Sequence, residues 1–250
     1  MMDKKVVVVT GGSRGIGAAS ARLFAQKGFL VCINYSSNDF AAMQLQKALN
    51  AELECTYLCK ADVSTGEGVE RLFNFIDNQL GRIDVLVNNV GILKPQASLI
   101  DIDEDRINQI LRTNVTSQLL CAKAAVSRMS TSYGGSGGAI VNVSSGAAKS
   151  GSPNEYIDYA ASKGAIDSFT IGLAKEVANQ GIRVNCVRPG MIHTAIHADG
   201  GEPERVTRLS RKIPLQRGGQ PAEVANAIYW LASEEAAYTT GSFIDVTGGL

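Results

Sequence analysis

The sequence predicts an α/β protein built on a single doubly wound parallel sheet, with helices on both faces. Three observations predict it. Short β-branched runs alternate with segments of helical periodicity along the chain. A glycine-rich turn follows the first run and opens the first helix. No internal repeat or long linker interrupts the alternation, so residues 1–250 read as one domain.

The elements follow in order. Lys5–Thr10 is a β-branched run ending in glycines, and Gly15–Lys27 carries Leu23 and Phe24 as apolar anchors of a helix. Leu30–Tyr35 reads as a second strand. Asn38 or Asp39 caps a helix running to about Asn50. Glu54–Ala61 reads as a third strand, and Val69, Leu72, Phe73, Ile76 and Leu80 mark one helical face. Ile83–Asn88 is a strand, and two helices are expected between Asp103 and Ser130. Ala139–Ser144 is the next strand, and Ile166, Phe169, Leu173 and Val177 mark a long helix ending near Gly181. Ile182–Val187 is a strand, Pro221–Ala232 a helix opened by proline, and Ser242–Val246 a last strand. Gly134–Gly138 reads as a loop.

Hydrophobic residues make up 45% of the chain and charged residues 19%, which fits a globular protein rather than a disordered one. The formal net charge is zero, which argues against nucleic acid or an anionic membrane as the main partner. The apolar run Val6–Val9 is too short for a signal peptide, and no stretch reaches the ~18 apolar residues of a membrane span. A cytoplasmic location is therefore expected. Cys32, Cys55, Cys59, Cys121 and Cys186 are odd in number and scattered, so they read as buried, inert thiols rather than a disulfide framework.

The turn Thr10-Gly11-Gly12-Ser13-Arg14-Gly15-Ile16-Gly17 has the context of a phosphate-binding loop. Gly11 permits a tight turn, Gly15 close backbone approach, and Gly17 close helix packing. The N–H groups at the helix start favour a pyrophosphate. The Gly-Lys-Ser/Thr of a nucleotide-binding P-loop is absent. At the end of the second strand, Asn34-Tyr35-Ser36-Ser37 offers no acid to hold a ribose 2′-OH and repel a 2′-phosphate. Arg14 offers a cation for that phosphate, while Asp39 is better explained by helix capping. NADP is thus expected over NAD, with dual use left open.

Tyr159 and Lys163 lie four residues apart near the start of the long helix, hence on one face. A phenol titrates near ~10. A cation about 4 Å away contributes roughly 4 kcal/mol at an effective dielectric of ~20, enough to bring it toward neutral pH. Tyr159 is therefore the expected general acid/base. Tyr156 has Ala160 four residues on and no cation, so it reads as a surface or loop residue. Ser144 and Ser145 end a strand whose carboxyl end should line the ligand crevice.

With these residues in view, the chain resembles the short-chain dehydrogenase/reductase family, of the compact single-domain type. The resemblance rests on the glycine turn, Asp62-Val63, Asn88-Asn89-Val90-Gly91, Asn114, Ser144-Ser145, Tyr159 to Lys163, and Arg188-Pro189-Gly190 with Thr194. It implies hydride exchange between a nicotinamide cofactor and a carbonyl or secondary alcohol: a ketone, a 3-oxoacyl thioester or a sugar. It implies that Tyr159 moves the proton, and that Lys163 lowers its pKa and holds the nicotinamide ribose. Ser145, rather than Ser144, would orient the substrate carbonyl, and Asn114 would hold a water linking Lys163 to solvent. The cofactor would lie along Gly11, Ser13, Arg14, Gly15, Ile16 and Gly17, then Tyr35, Ser36, Asp62, Val63, Asn89 and Gly91. It would continue past Tyr159 and Lys163 to Pro189, Gly190, Ile192 and Thr194, the last two holding the carboxamide.

The resemblance also implies a homotetramer, with the helices near Asn114 and Tyr159 at one interface, and a mobile substrate lid at residues 193–212. Two departures stand out. Val90 replaces the usual alanine, and the Ser145-to-Tyr159 gap is one residue longer than in many relatives, absorbed within Asn154–Asp158. His193 and His197 read as solvent-facing, substrate-contacting or, least readily, metal-binding. The competing function is a dinucleotide-sensing binding protein that kept the fold without catalysis. The chain is too short for the added substrate domain of extended epimerases.

Overall fold

Four valines in a row form the first strand, β1 (Val6–Val9), and all four are sealed from solvent. A continuous β-branched run buried on both faces belongs in the centre of a parallel sheet. The side chains divide by alternation: Val7 and Val9 enter one core, Val8 the other. The structure is a computed structural model that describes residues 4–250, the side chains of Glu52 and Leu53 excepted. Residues 1–3, with which the expected domain range begins, lie outside the described residues.

The other strands are β2 (Leu30–Tyr35), β3 (Thr56–Lys60), β4 (Val85–Asn88), β5 (Gly138–Val143), β6 (Ile182–Pro189) and β7 (Phe243–Val246). All pair in parallel, in the order β3-β2-β1-β4-β5-β6-β7. The order reverses between β1 and β4, and ligands of such sheets bind beyond the strand ends at that reversal. One face is covered by α1 (Gly15–Gln26), α2 (Asp39–Leu53) and α10 (Pro221–Ala232), around Phe24, Leu45 and Ile228. The other is covered by α3 (Gly66–Gln79), α5 (Ser117–Met129) and α7 (Ile157–Val177), around Phe73, Ile76 and Met129.

Local chemistry sets the helix ends. Asn38 accepts from the Ala41 N–H, Thr65 from Gly68, and Asp103 from Arg106, the last at the start of α4 (Glu104–Leu111). Gln220 and Glu223 form a capping box before α10, with Pro221 in its first turn. Asn38 is thus the cap, and Asp39 falls in the first turn.

Three differences from expectation have local causes. The third strand begins at Thr56 because Glu54 adopts φ +41° and terminates α2. The two helices expected between Asp103 and Ser130 run as one rod, because a π-helical turn, Arg112–Thr116, joins α4 to α5. Short helices α6 (Ala147–Ser150), α8 (Ile196–Asp199) and α9 (Arg205–Leu209) occur where no periodicity announced them. The longer Ser145-to-Tyr159 connection is absorbed by a turn in which Ser152 and Asn154 take positive φ.

The five cysteines are free and buried, and burial pushes Cys59 up to about 11 and Cys121 and Cys186 up to about 12. No helix among the described residues is long and apolar enough to cross a membrane.

A Cβ on Gly17 would stand 2.4 Å from the Gly11 carbonyl oxygen and 2.7 Å from Asn89 Nδ2. Gly17→Ala should therefore cost about 1–3 kcal/mol of stability through overpacking, read as a lowered urea midpoint. An unchanged midpoint would show that the helix does not need this approach.

Candidate active site

The glycine turn is shaped from the neighbouring strand. Gly11 and Gly15 adopt φ +59° and +55°, backbone that side chains rarely tolerate. Asn89, just past β4, donates from Nδ2 to the carbonyls of Thr10 and Gly11. The Thr10 hydroxyl accepts from the Asn89 N–H in return. The turn is thereby stitched to the sheet where the strand order reverses.

A cleft of about 810 Å³ opens above this point. It is bordered by the glycine turn, the ends of β2, β4, β5 and β6, and the first turns of α7. Of the residues expected to line it, all do except Gly17 and Asn114, which lie beneath it. Ser13, Gly15, Ile16, Tyr35, Ser36, Asp62 and Val63 border one end, and Ser145, Tyr159, Lys163, Pro189, Gly190, Ile192 and Thr194 the other. Tyr35 donates its hydroxyl to Asp39, whose other oxygen accepts from Lys60.

Tyr159 and Lys163 share a face of α7, as the four-residue interval requires, with the Lys163 Nζ 5.6 Å from the Tyr159 ring centre. Ser144 is buried and donates to the Lys163 carbonyl, fixing the helix, while Ser145 is hydrogen-bonded to the Tyr159 side chain. Both serines border the cleft, but the Ser144 hydroxyl is taken up by the Lys163 carbonyl while that of Ser145 meets Tyr159. Asn114 sits in the π turn, fully buried. Its Oδ1 accepts from the Ile92 N–H, and its Nδ2 donates to the Ile92 carbonyl and to Ser162. Ser162 in turn donates to the Tyr159 carbonyl. The Asn114 amide therefore props the turn that carries Tyr159. Gly91 leaves room for this group: a Cβ there would stand 3.3 Å from Lys163 Nζ and 3.7 Å from Asn114 Oδ1.

The electrostatics correct one expectation. Lys163 does not bring Tyr159 toward neutral pH. Its ammonium donates to the Val143 carbonyl at 2.8 Å, and burial is the largest influence on both groups. Tyr159 is partly open to the cleft, yet the depth at which it sits pushes its hydroxyl up to about 12, against the opposite pull of Ser145. Burial pulls Lys163 down to about 8.

Other placements differ as well. Tyr156 is not a surface residue: it is 3% exposed, its hydroxyl donates to the Gly200 carbonyl, and Arg205 stacks on its ring. His197 is not solvent-facing: it is buried, with Nε2 3.0 Å from the Ile192 carbonyl, whereas His193 is exposed. A carbonyl only accepts, so the Nε2 of His197 carries the proton. Neither histidine joins a metal-holding cluster among the described residues. Arg14 is not free for a phosphate but is paired with Asp199 at 2.6 Å.

Sequence reasoning missed two supports of the site. Arg106 of α4 makes a two-point ion pair with Asp158, the residue before Tyr159, and both are largely buried. Arg205 pairs with Glu155 and Glu202. An aspartate next to Tyr159 was the available signal, but its partner lies 52 positions away.

Known proteins resemble the chain along nearly its whole length. The profile of a family described as enoyl-(acyl carrier protein) reductase matches residues 11–250. The chain is 54% identical over 244 residues to "Uncharacterized oxidoreductase YgfF" of Escherichia coli, covering 98% of this chain and 99% of that one. It is 41% identical over 246 residues to carbonyl reductase family member 4 of Danio rerio, covering 98% of each. It is 35% identical over 246 residues to glucose 1-dehydrogenase 2 of Bacillus subtilis, covering 98% and 94%. The chain belongs to the short-chain dehydrogenase/reductase family. It is an NAD(P)-dependent oxidoreductase of that type.

The Lys163 shift has a sign that stability can read. The folded-state pKa lies below the ordinary 10.5, so between about pH 8 and 10.5 the unfolded chain binds more protons, and stability rises with pH through that window. Relative to Lys163→Met, the wild type should gain roughly 3 kcal/mol on going from pH 7 to pH 10.5, measured by paired urea titrations. A pH-independent difference would mean that Lys163 is not desolvated as described.

Proposed function

We propose that the protein interconverts a carbonyl and a secondary alcohol with NADP(H), through Ser145, Tyr159 and Lys163, with Asn114 in support. The observation that carries this reading is the convergence of Ser145 and Lys163 on Tyr159, at the end of a cleft that begins on the glycine turn. The residues fit a dinucleotide. The positive-φ glycines and the helix start suit its pyrophosphate, and a cleft of this size suits a cofactor with a small substrate beside it. Gly11, Ser13, Gly15, Ile16 and Gly17 would hold the phosphates. Arg14, Tyr35 and Ser36 would take the adenosine ribose, Asp62 and Val63 the adenine, and Asn89 and Gly91 the middle. Lys163 would hold the nicotinamide ribose, and Pro189, Gly190, Ile192 and Thr194 the carboxamide. When bound, the nicotinamide supplies or accepts the hydride.

Ser145 orients the substrate oxygen toward the Tyr159 hydroxyl. A Tyr159 titrating near 12 is fully protonated at neutral pH, hence a proton donor. An alkoxide is a far stronger base than a phenolate, so the proton passes downhill to the substrate oxygen as the carbonyl is reduced. Lys163, pulled down to about 8, restores that proton, and a water at Asn114 would link Lys163 to solvent. The reverse reaction needs the phenolate and gains with rising pH.

NADP over NAD follows from Arg14 and from the absence of an acid lining the cleft at Tyr35–Asn38. Residues 193–212 form the substrate lid, and the fold stands as one domain. A homotetramer is the accompanying reading, supported by Leu111, Leu119 and Ile171, exposed on the adjoining helices α4, α5 and α7, and a cytoplasmic location goes with it.

Tyr159→Phe should lower NADPH-linked carbonyl reduction about 10²–10⁴-fold and leave coenzyme affinity within about twofold, by absorbance assay and calorimetry. Retained turnover would reject the mechanism. With wild-type enzyme, alcohol oxidation should climb steadily from pH 7 to 10 while carbonyl reduction does not. Parallel profiles in the two directions would remove Tyr159 as the shared proton carrier.

A further inference from the structure

The segment 193–212 is fastened to the rest of the molecule at two ends by contacts of different strength. On the catalytic side, Arg205 is nearly inaccessible and bonded to Glu155 and Glu202, with its guanidinium over the Tyr156 ring. Tyr156 also bonds Gly200, and Gln96 bonds Glu202. Arg205 and Tyr156 are desolvated and Glu202 partly so, and separating them would leave the buried Arg205 charge unpaired. On the cofactor side, the segment's start is held by a backbone bond from the His193 N–H to the Gly219 carbonyl, and the side chain at the end of α8 is held by the ion pair of Asp199 with Arg14, at 2.6 Å, with side chains 42% and 54% exposed. Exposed pairs of this kind are weak and screened by salt.

Arg14 stands in the glycine turn, between Gly11 and Gly15, and Thr194 packs beside Gly15. Arg14 borders the same cleft as Ser36, Ser37 and Asn38, where the adenosine ribose is proposed to lie. Asp199 ends α8, whose Ile196 and His197 also border the cleft. The guanidinium therefore has one carboxylate partner on the lid and one prospective phosphate partner on the coenzyme. A phosphate carries more charge than a carboxylate and accepts more hydrogen bonds.

We propose that Asp199 is a specificity-determining latch: its carboxylate competes with the coenzyme 2′-phosphate for Arg14, so NADP(H) binding releases the α8 end of the lid and NAD(H) binding leaves it fastened. Asp199 touches neither substrate nor coenzyme in this scheme and acts through Arg14. The latch lowers the preference for NADP below what Arg14 alone would give, and makes lid fastening depend on which coenzyme is present. It rests on the reading of Arg14 as the partner of the 2′-phosphate, and its test separates the two.

The measurement is binding, not turnover: calorimetric Kd values for NADP⁺ and NAD⁺ in wild type, Asp199→Asn, Arg14→Ala and the double variant. Asp199→Asn should raise the ratio of the NAD⁺ Kd to the NADP⁺ Kd by roughly two- to fivefold at low salt, and by less at high salt. Arg14→Ala should lower that ratio at least about tenfold, and adding Asp199→Asn to it should change nothing further. An unchanged ratio in Asp199→Asn, with Arg14→Ala losing the preference, overturns the latch and leaves the Arg14 reading intact. A rise that persists without Arg14 overturns it too, because plain repulsion between Asp199 and the phosphate would then suffice. An Arg14→Ala variant with the wild-type ratio overturns both readings.

Discussion

A parallel sheet covered on both faces has one place to put chemistry, the line along which its strands end. That constraint governs this molecule. The strand residues divide between two apolar cores, so both faces of the sheet are given over mainly to packing. The reversal of strand order between β1 and β4 then parts the connecting segments and leaves a cleft. The approach of Gly17 to Gly11 and Asn89 closes the base of that cleft. The bonds from Asn89 to the turn make the first and fourth strand ends a single rigid floor.

On that floor the reacting groups are held through backbone. Ser144 holds the Lys163 carbonyl, Ser162 the Tyr159 carbonyl, and Asn114 holds Ser162. The π turn at Arg112–Thr116 delivers Asn114 to this position without breaking the rod of α4 and α5. Such turns often mark functional sites, because they shift the register of one helix against its neighbours. Arg106 and Asp158 fasten α4 to the residue before Tyr159. A side chain supported from several elements loses little freedom on meeting a substrate, which is the physical content of preorganisation.

Burial has a second consequence at this site. It moves Tyr159 and Lys163 in opposite directions, each toward its uncharged form. The segment above the site joins the two ends of the cleft, sealed at Arg205 and only lightly held at Arg14.

What the sequence determined by itself was whatever depends on near neighbours. The central strands are runs of β-branched residues, the glycines of the turn mark positive φ, and Asn38 and Pro221 announce helix starts within three or four residues. The interval from Tyr159 to Lys163 sufficed to put them on one face. What only the tertiary structure decided was environment. Arg14 reads as a free cation until Asp199, 185 positions away, is folded against it. Tyr156 and His197 look exposed until each closes on the segment beside it. The Tyr159 hydroxyl is pushed up to about 12, and not lower, because desolvation outweighs the pull of the Ser145 hydrogen bond. Spacing along a helix fixes direction, whereas charge state and partnership depend on everything within reach, and most of that arrives from distant parts of the chain.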